Sequence, residues 1–272
     1  MADTLRSLFG RTKPLIGMIH LGALPGSPAA KWPVARIVEQ AASEARLLAK
    51  AGFDGLMIEN MHDAPYINGR QGPEITAAMT VAALAVRAAA PGLPLGVQVL
   101  SSGHEEALAI ALASGASFIR VENFVYSHVA DEGLLPAAAA GPLLRYRRSI
   151  GAEHIRLFCD IDKKHASHAL TADLSLTDLA HAAEFFRADA LVVTGGFTGE
   201  ETDADDLEEV RAASKLPLVV GSGVTPGNLA AMFKHADAVI VGSWFKRGGR
   251  WAAEPDSRRA GQLVAAARKA RK

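Results

Sequence analysis

Cysteine is almost absent: the single Cys159 in 272 residues excludes an intrachain disulfide framework and fits a reducing compartment. Net charge is absent too. The 29 Lys and Arg balance 29 Asp and Glu, so no global field draws the chain to nucleic acid or to an anionic membrane surface. No segment approaches the ~20 uninterrupted apolar residues of a spanning helix. The opening stretch Met1–Lys13 carries Arg6, Arg11 and Lys13 but no apolar run of the kind a cleaved signal needs. No linker rich in Pro, Gly or Ser is long enough to divide the chain. These absences predict a soluble, cytoplasmic protein with one domain over residues 1–272, of which 1–13 is an N-terminal extension.

What is present is apolar and periodic. Hydrophobic residues make up 49% of the chain and charged residues 21%, enough for a large buried core. Short β-rich runs alternate with longer Ala-, Leu-, Glu- and Arg-rich segments. The expected strands are Leu15–His20, Gly55–Glu59, Leu95–Leu100, Phe118–Glu122, Ile155–Asp160, Ala190–Thr194, Leu218–Gly221 and Ala238–Val241. Each is short and apolar throughout, as strands covered on both faces must be. The expected helices are Val34–Ala51, Glu74–Ala90, Glu105–Ser114, Pro136–Ile150, Leu174–Arg187, Asp205–Lys215, Pro226–His235 and Asp256–Arg271. Gly52, Gly115 and Gly151 stand where helices close; Ser175 or Thr177 and the Thr225-Pro226 pair stand where helices open. Strand-helix alternation favours a parallel sheet, and eight units fit a TIM (β/α)8 barrel better than an open sheet. A dinucleotide fold would place G-x-G-x-x-G after the first strand; Gly22-Ala23-Leu24-Pro25-Gly26 lacks that spacing.

The last two strands carry the sharpest local signal. One runs into Gly221-Ser222-Gly223-Val224-Thr225, the other into Gly242-Ser243-Trp244-Phe245-Lys246. Small residues at both exits let backbone N–H groups approach a ligand, and a helix start beside them favours an anion. Ser222 and Ser243 add hydroxyl donors, and Lys246 is expected as a rim charge. The phosphate of many such barrels sits at this place. Tight turns alone would explain one such exit; two in succession favour an anion site.

The other strand exits are polar, which is where this architecture keeps its chemistry. His20, Glu59-Asn60, Gln98, Arg120, Glu122, Asn123, Asp160, Asp162, Lys164 and Thr194-Gly195 all stand at or just past a strand end. Period-two geometry puts Arg120 with Glu122 on one face, and Asp160 with Asp162 and Lys164 on another. Glu59, Glu122 and Asp160 then converge as three carboxylates, a crowding that raises the pKa of at least one and makes a general acid or base. Lys164 is a candidate clamp, acid or amine nucleophile, against the plain alternative of a salt-bridged layer. His20, Asn60, Arg120, Thr194, Gly195, Ser222, Gly223, Gly242 and Ser243 are the expected ligand-binding set. A divalent metal using His20, Glu59, Asp160, His165 or His168 is the minor alternative, because that spacing matches no established ligand pattern. No cofactor is expected.

Several of these stretches together resemble the BtpA family, named for a protein linked to photosystem I biogenesis. They are Pro14–Gly26, Gly52–Asn60, Phe118–Asn123, Asp160–His165, Val193-Thr194-Gly195 and the paired Gly-Ser exits. The resemblance spans residues 14 to 251 and implies a barrel related to the phosphate-binding ones, with no reaction attached. The function expected is an enzyme on a small phosphorylated metabolite, as an isomerase, an aldolase or lyase, or a hydrolase. The alternatives are a non-catalytic assembly or stability factor, and a regulator that binds a sugar phosphate or nucleotide. Homo-oligomerisation is left open.

Overall fold

Each apolar run becomes a strand covered on both faces, and the strands close on themselves. The structure, a computed structural model, describes residues 3–163, 165–195 and 202–271. The barrel strands are β1 (Leu15–His20), β2 (Gly55–Glu59), β3 (Leu95–Gln98) and β4 (Phe118–Val121), then β7 (Arg156–Asp162), β9 (Ala190–Val193), β10 (Leu218–Val220) and β11 (Ala238–Val241). All pairings among them are parallel, and β11 closes on β1 through Leu15–Val239 and its neighbours. The outer layer is α2 (Val34–Ala51), α3 (Pro73–Ala89), α4 (His104–Ser114), α5 (Ala140–Ser149), α6 (Leu176–Phe185), α7 (Ala204–Ala213), α8 (Leu229–His235) and α9 (Ser257–Ala270). The (β/α)8 barrel expected from the sequence is the fold.

Helix boundaries follow their punctuation. Gly52 and Gly115 take left-handed φ of 99° and 71° at the ends of α2 and α4. Ser175 caps α6 through a reciprocal box with Asp178. Two starts differ from expectation by three residues or more. Residues 133–135 are taken by a strand, so α5 opens at Ala140. α8 opens at Leu229, because Thr225 closes a turn with Asn228 (N–H to Oγ1, 3.3 Å) ahead of it.

One helix and one small sheet were not expected. Residues 3–9 form α1 (Asp3–Phe9), and three short strands, β5 (His128–Ala130), β6 (Gly133–Leu135) and β8 (Ala166–Ser167), make a small antiparallel sheet. α1 plugs the N-terminal floor of the barrel. Phe9 meets Phe118 edge-on at 5.8 Å, and Phe118 stacks on Phe158 at 4.6 Å. Glycines make the room: a Cβ on Gly55 would lie 2.4 Å from Phe9, and one on Gly96 would lie 2.2 Å from Phe118.

The same end is held by a device used three times. Asp54, Asp189 and Asp237 each stand one residue before a strand, and each accepts the N–H of a residue at the start of the adjacent strand: Leu15, Leu157 and Leu218. Each also pairs with arginine: Asp54 with Arg11 and Arg271, Asp189 with Arg156 and Arg147, Asp237 with Arg211. The carboxylate thus satisfies a backbone donor at the sheet's edge, and the arginine offsets its charge.

Truncating the plug should be costly. Phe9→Ala is expected to lower the unfolding free energy by about 3 kcal/mol, in the range for emptying a buried aromatic site. Urea denaturation reads this; a loss well under ~1 kcal/mol would mean that α1 does not seal the core.

Candidate active site

At the opposite, C-terminal end the inward-facing residues change from apolar to polar within one step of the pleat. Phe118 and Phe158 lie in the apolar interior; two residues on, Arg120 and Asp160 meet in a two-pronged pair, Nε to Oδ1 at 2.8 Å and Nη2 to Oδ2 at 2.9 Å. Both are buried, at 4% exposure each. Burial opposes the Arg120 charge, but Asp160, then Glu59 and Glu122, more than offset it and push its pKa further up. The guanidinium is therefore a fixed positive charge on the floor of a cavity of about 350 Å³.

Glu59 and Glu122 line the same cavity, as expected. Glu122 accepts the Ser102 N–H at 3.1 Å, and burial, partly countered by Lys163, raises its pKa. The sequence assigned such a shift to crowded carboxylates; here burial is the larger cause, and Asp160 adds the repulsion. Lys164 lies outside the described residues. Its neighbour Lys163 reaches the mouth, 2.8 Å from Glu132 and 3.7 Å from Glu122. Burial pulls Lys163 down, yet Glu122 and Glu132 together push it up, so it is an ammonium clamp rather than a nucleophilic amine. The period-two expectation for this strand fails at a bulge: the register with β9 slips between Asp160 and Asp162, so alternation breaks. Asp162 turns toward His168 instead, at 3.1 Å.

His20 is the pivot between the mouth and the barrel wall. Its Nε2 lies 3.4 Å from Glu59 Oε2, while its Nδ1 lies 3.0 Å from Lys246 Nζ and 3.1 Å from the Trp251 carbonyl. Nδ1 thus faces a donor, the Lys246 ammonium, and an acceptor, the Trp251 carbonyl, and the tautomer decides which of the two it bonds. Lys246 is not the rim charge that the sequence suggested. It is 2% exposed and packs between His20 and Glu44 of α2, 3.6 Å away. Burial lowers the Lys246 pKa and raises that of Glu44 to about 6.

The two Gly-Ser exits face this polar floor. Gly221, Ser222, Gly223, Gly242 and Ser243 all line the cavity. Their glycines are needed for space: a Cβ on Gly221 would lie 3.1 Å from Arg120 Nη2, and one on Gly242 would lie 3.0 Å from His20 Nε2. Ser222 Oγ accepts the Gly195 N–H at 3.1 Å, which leaves its own O–H to donate. Asn228 clamps the loop, accepting the Thr225 N–H at 2.8 Å and donating to the Gly223 carbonyl at 2.9 Å. Among the described residues no acceptor is found for the N–H of Gly223 or Ser243. The donors are those of the loops, since α8 begins further along.

Three expected residues sit behind the mouth. Asn60 is fully used, bonding Asp63 at 2.9 Å and both polar groups of Leu100 at 3.0 and 2.6 Å. Thr194 reaches the Asp162 carbonyl at 3.4 Å, and Gly195 serves Ser222. Residues outside the expected catalytic and ligand-binding sets line the mouth as well. Glu132, at the tip of the β5–β6 hairpin, holds Lys163 and Ser101, and Tyr66 and Trp251 form walls. Among the described residues no group of three His, Cys, Asp or Glu is placed to hold a metal, and no helix is long and apolar enough to cross a membrane.

Comparison with known proteins places this geometry in context. The sequence model of one family, described as "BtpA family", matches residues 11–269. An uncharacterised mitochondrial protein of Caenorhabditis elegans is 42% identical over 94% of both chains. The photosystem I biogenesis protein BtpA of Synechocystis is 35% identical, over 89% of this chain and 83% of that one. Among solved structures, (S)-3-O-geranylgeranylglyceryl phosphate synthase of Thermoplasma acidophilum, in complex with sn-glycerol-1-phosphate, superposes with a TM-score of 0.62. It is 18% identical and covers 99% of this chain and 98% of its own. Thiamine phosphate pyrophosphorylase of Pyrococcus furiosus gives 0.58 at 13% identity, over 98% and 99%. These two share the fold.

Two predictions test the electrostatics. Arg120→Met and Asp160→Leu should each destabilise by about 3–5 kcal/mol, because each strands a buried charge. The double variant should lose much less than the sum; additive losses would show the pair to be uncoupled. Glu44, with its folded pKa near 6 against 4.5, binds more protons folded than unfolded in that window. Stability should therefore fall by up to about 2 kcal/mol as pH rises from 4.5 to 6, and Glu44→Gln should flatten that slope in denaturation curves.

Proposed function

The chain belongs to the BtpA family, and from that premise we propose that it is an enzyme acting on a small phosphorylated metabolite. The observation that carries the reading is the facing of two unlike surfaces across one cavity. On one side are Gly223 and Ser243 N–H groups without an acceptor among the described residues, together with the Ser222 hydroxyl. On the other are buried acid-base groups, with Glu122 raised in pKa and Arg120 held as a fixed cation. A pocket with a few convergent polar groups and a perturbed carboxylate is where chemistry is expected. The sn-glycerol-1-phosphate bound by a structural neighbour is consistent with a phosphate at this rim.

In this reading Ser222, Gly223, Gly242 and Ser243 hold the phosphate. Glu122 and Glu59 exchange protons with the substrate, His20 binds it beside Glu59, and Arg120 with Asp160 stabilises charge that develops above the floor. Asn60, Thr194 and Gly195 support the loops that carry these groups. Lys164 keeps a proposed catalytic role on its sequence position alone. Proton transfer next to a carbonyl, as in isomerases and lyases, suits this set. No cofactor is assigned.

Inorganic phosphate and a panel of phosphorylated metabolites should raise the melting temperature of the wild type. Ser222→Asp, which sets a carboxylate against the anion, should abolish that shift while leaving the unliganded melting temperature within a few degrees. Turnover of a stabilising metabolite should drop at least a hundredfold in Glu122→Gln, in line with loss of a general acid or base. Should no phosphorylated compound stabilise the protein, the enzyme reading falls; stabilisation without turnover would mark a binding protein.

A further inference from the structure

We propose that the end of the ligand opposite the phosphate is a polyhydroxylated carbon chain, so that the substrate is a sugar or polyol phosphate. This rests on the phosphate reading above and names the chemistry of the other half of the same cavity. That half is dense in hydrogen-bond acceptors. Glu59, Glu122, Asp131, Glu132 and Asp160 line it, against the cations Arg120 and Lys163.

Three of these carboxylates have bonds to the protein that leave acceptor sites over. Asp160 takes both prongs of Arg120; Glu132 Oε1 takes Ser101 and Lys163; Glu122 Oε2 takes a backbone N–H. A carboxylate has about four lone-pair sites, so Asp160, Glu132 and Glu122 each keep acceptor capacity beyond these bonds. A separate side chain points the same way. Gln98, at the end of β3 and 2% exposed, lines the cavity, and its Oε1 is buried with no hydrogen-bond partner among the described residues. A buried acceptor left in this state is costly unless a ligand or water donates to it.

The chemical class follows by elimination. An alkyl or prenyl tail would strip water from these groups and return no hydrogen bond. A second anionic group would face five carboxylates against two cations. An ammonium donates to the carboxylates but offers nothing to Arg120 and Lys163, which also face the space. A hydroxyl does both, donating to one neighbour and accepting from the next. The C–H face of such a chain has a surface to lie on in the rings of Trp251 and Tyr66. A volume near 350 Å³ sets the scale at a small molecule.

The test compares ligands that share a phosphate and differ in the rest. Thermal shift and calorimetry on the full chain would use inorganic phosphate, propyl phosphate, phosphoethanolamine, glycerol 3-phosphate, ribose 5-phosphate and free ribose. The hydroxylated phosphates should bind at least tenfold tighter than propyl phosphate. Gln98→Leu should erase most of that margin while leaving propyl phosphate binding within twofold. Propyl phosphate binding as tightly as ribose 5-phosphate would overturn the inference and leave the phosphate reading standing. So would preference for phosphoethanolamine, which would assign an amine instead. Binding of free ribose with no gain from the phosphate would do the reverse, keeping the polyol and removing the anion site. If none of the compounds binds, both fail.

Discussion

The pairing of Arg120 with Asp160 sets the terms for everything at the mouth of the barrel. Two opposite charges are held 2.8 and 2.9 Å apart on a floor made of stacked phenylalanines. Water cannot screen from below, so each further charge at the rim is felt strongly. Glu59 and Glu122 feel Arg120 as an attraction, and Glu122 feels Asp160 as a repulsion. Burial is the larger cause of the raised pKa of Glu122, and Asp160 adds to it; Lys163 is held as an ammonium by Glu122 and Glu132 first and by Asp160 after them. The geometry of the Arg120–Asp160 pair depends in turn on a feature with no charge at all, the Gly96 that lets Phe118 lie flat beneath it.

Space at the rim is as constrained as charge. Gly221 abuts Arg120 and Gly242 abuts His20, so the residues that free the backbone for an anion also leave room for the groups that would act on it. Sterics therefore couple the two halves of the cavity: a side chain at either glycine would disturb both. His20 is further held from behind by Lys246 and Glu44, which carry the influence of the rim outward to α2.

Much of this was legible in the sequence because it is local. Uniformly apolar runs of strand length dictate a doubly covered parallel sheet, and the polar residue ending each run marks the end that opens on the cavity. Glu59, Glu122, Asp160, Arg120 and the Gly-Ser exits lie in the cavity for that reason. What escaped was whatever depends on a break in period or on distant packing. The bulge in β7 ended the alternation that had put Asp162 on the face of Asp160, and Lys163, which alternation did not single out, reaches the mouth. Lys246 looked like a rim cation until α2 covered it. Asn60 points away from the mouth by the same pleat that points Glu59 into it, a distinction the strand parity already contained. Glu132 comes from a hairpin whose two three-residue strands are too short to read by alternation.

The three aspartates at the opposite rim have a consequence of a different kind. Asp54, Asp189 and Asp237 secure the starts of strands whose far ends carry the polar residues, and they do so with backbone donors and arginines that touch nothing in the cavity. Anchoring and the polar cavity are thus assigned to opposite poles of the same strands. A chain built this way can exchange residues at its mouth without loosening its frame, so descendants of one barrel could come to differ in substrate while remaining superimposable in shape.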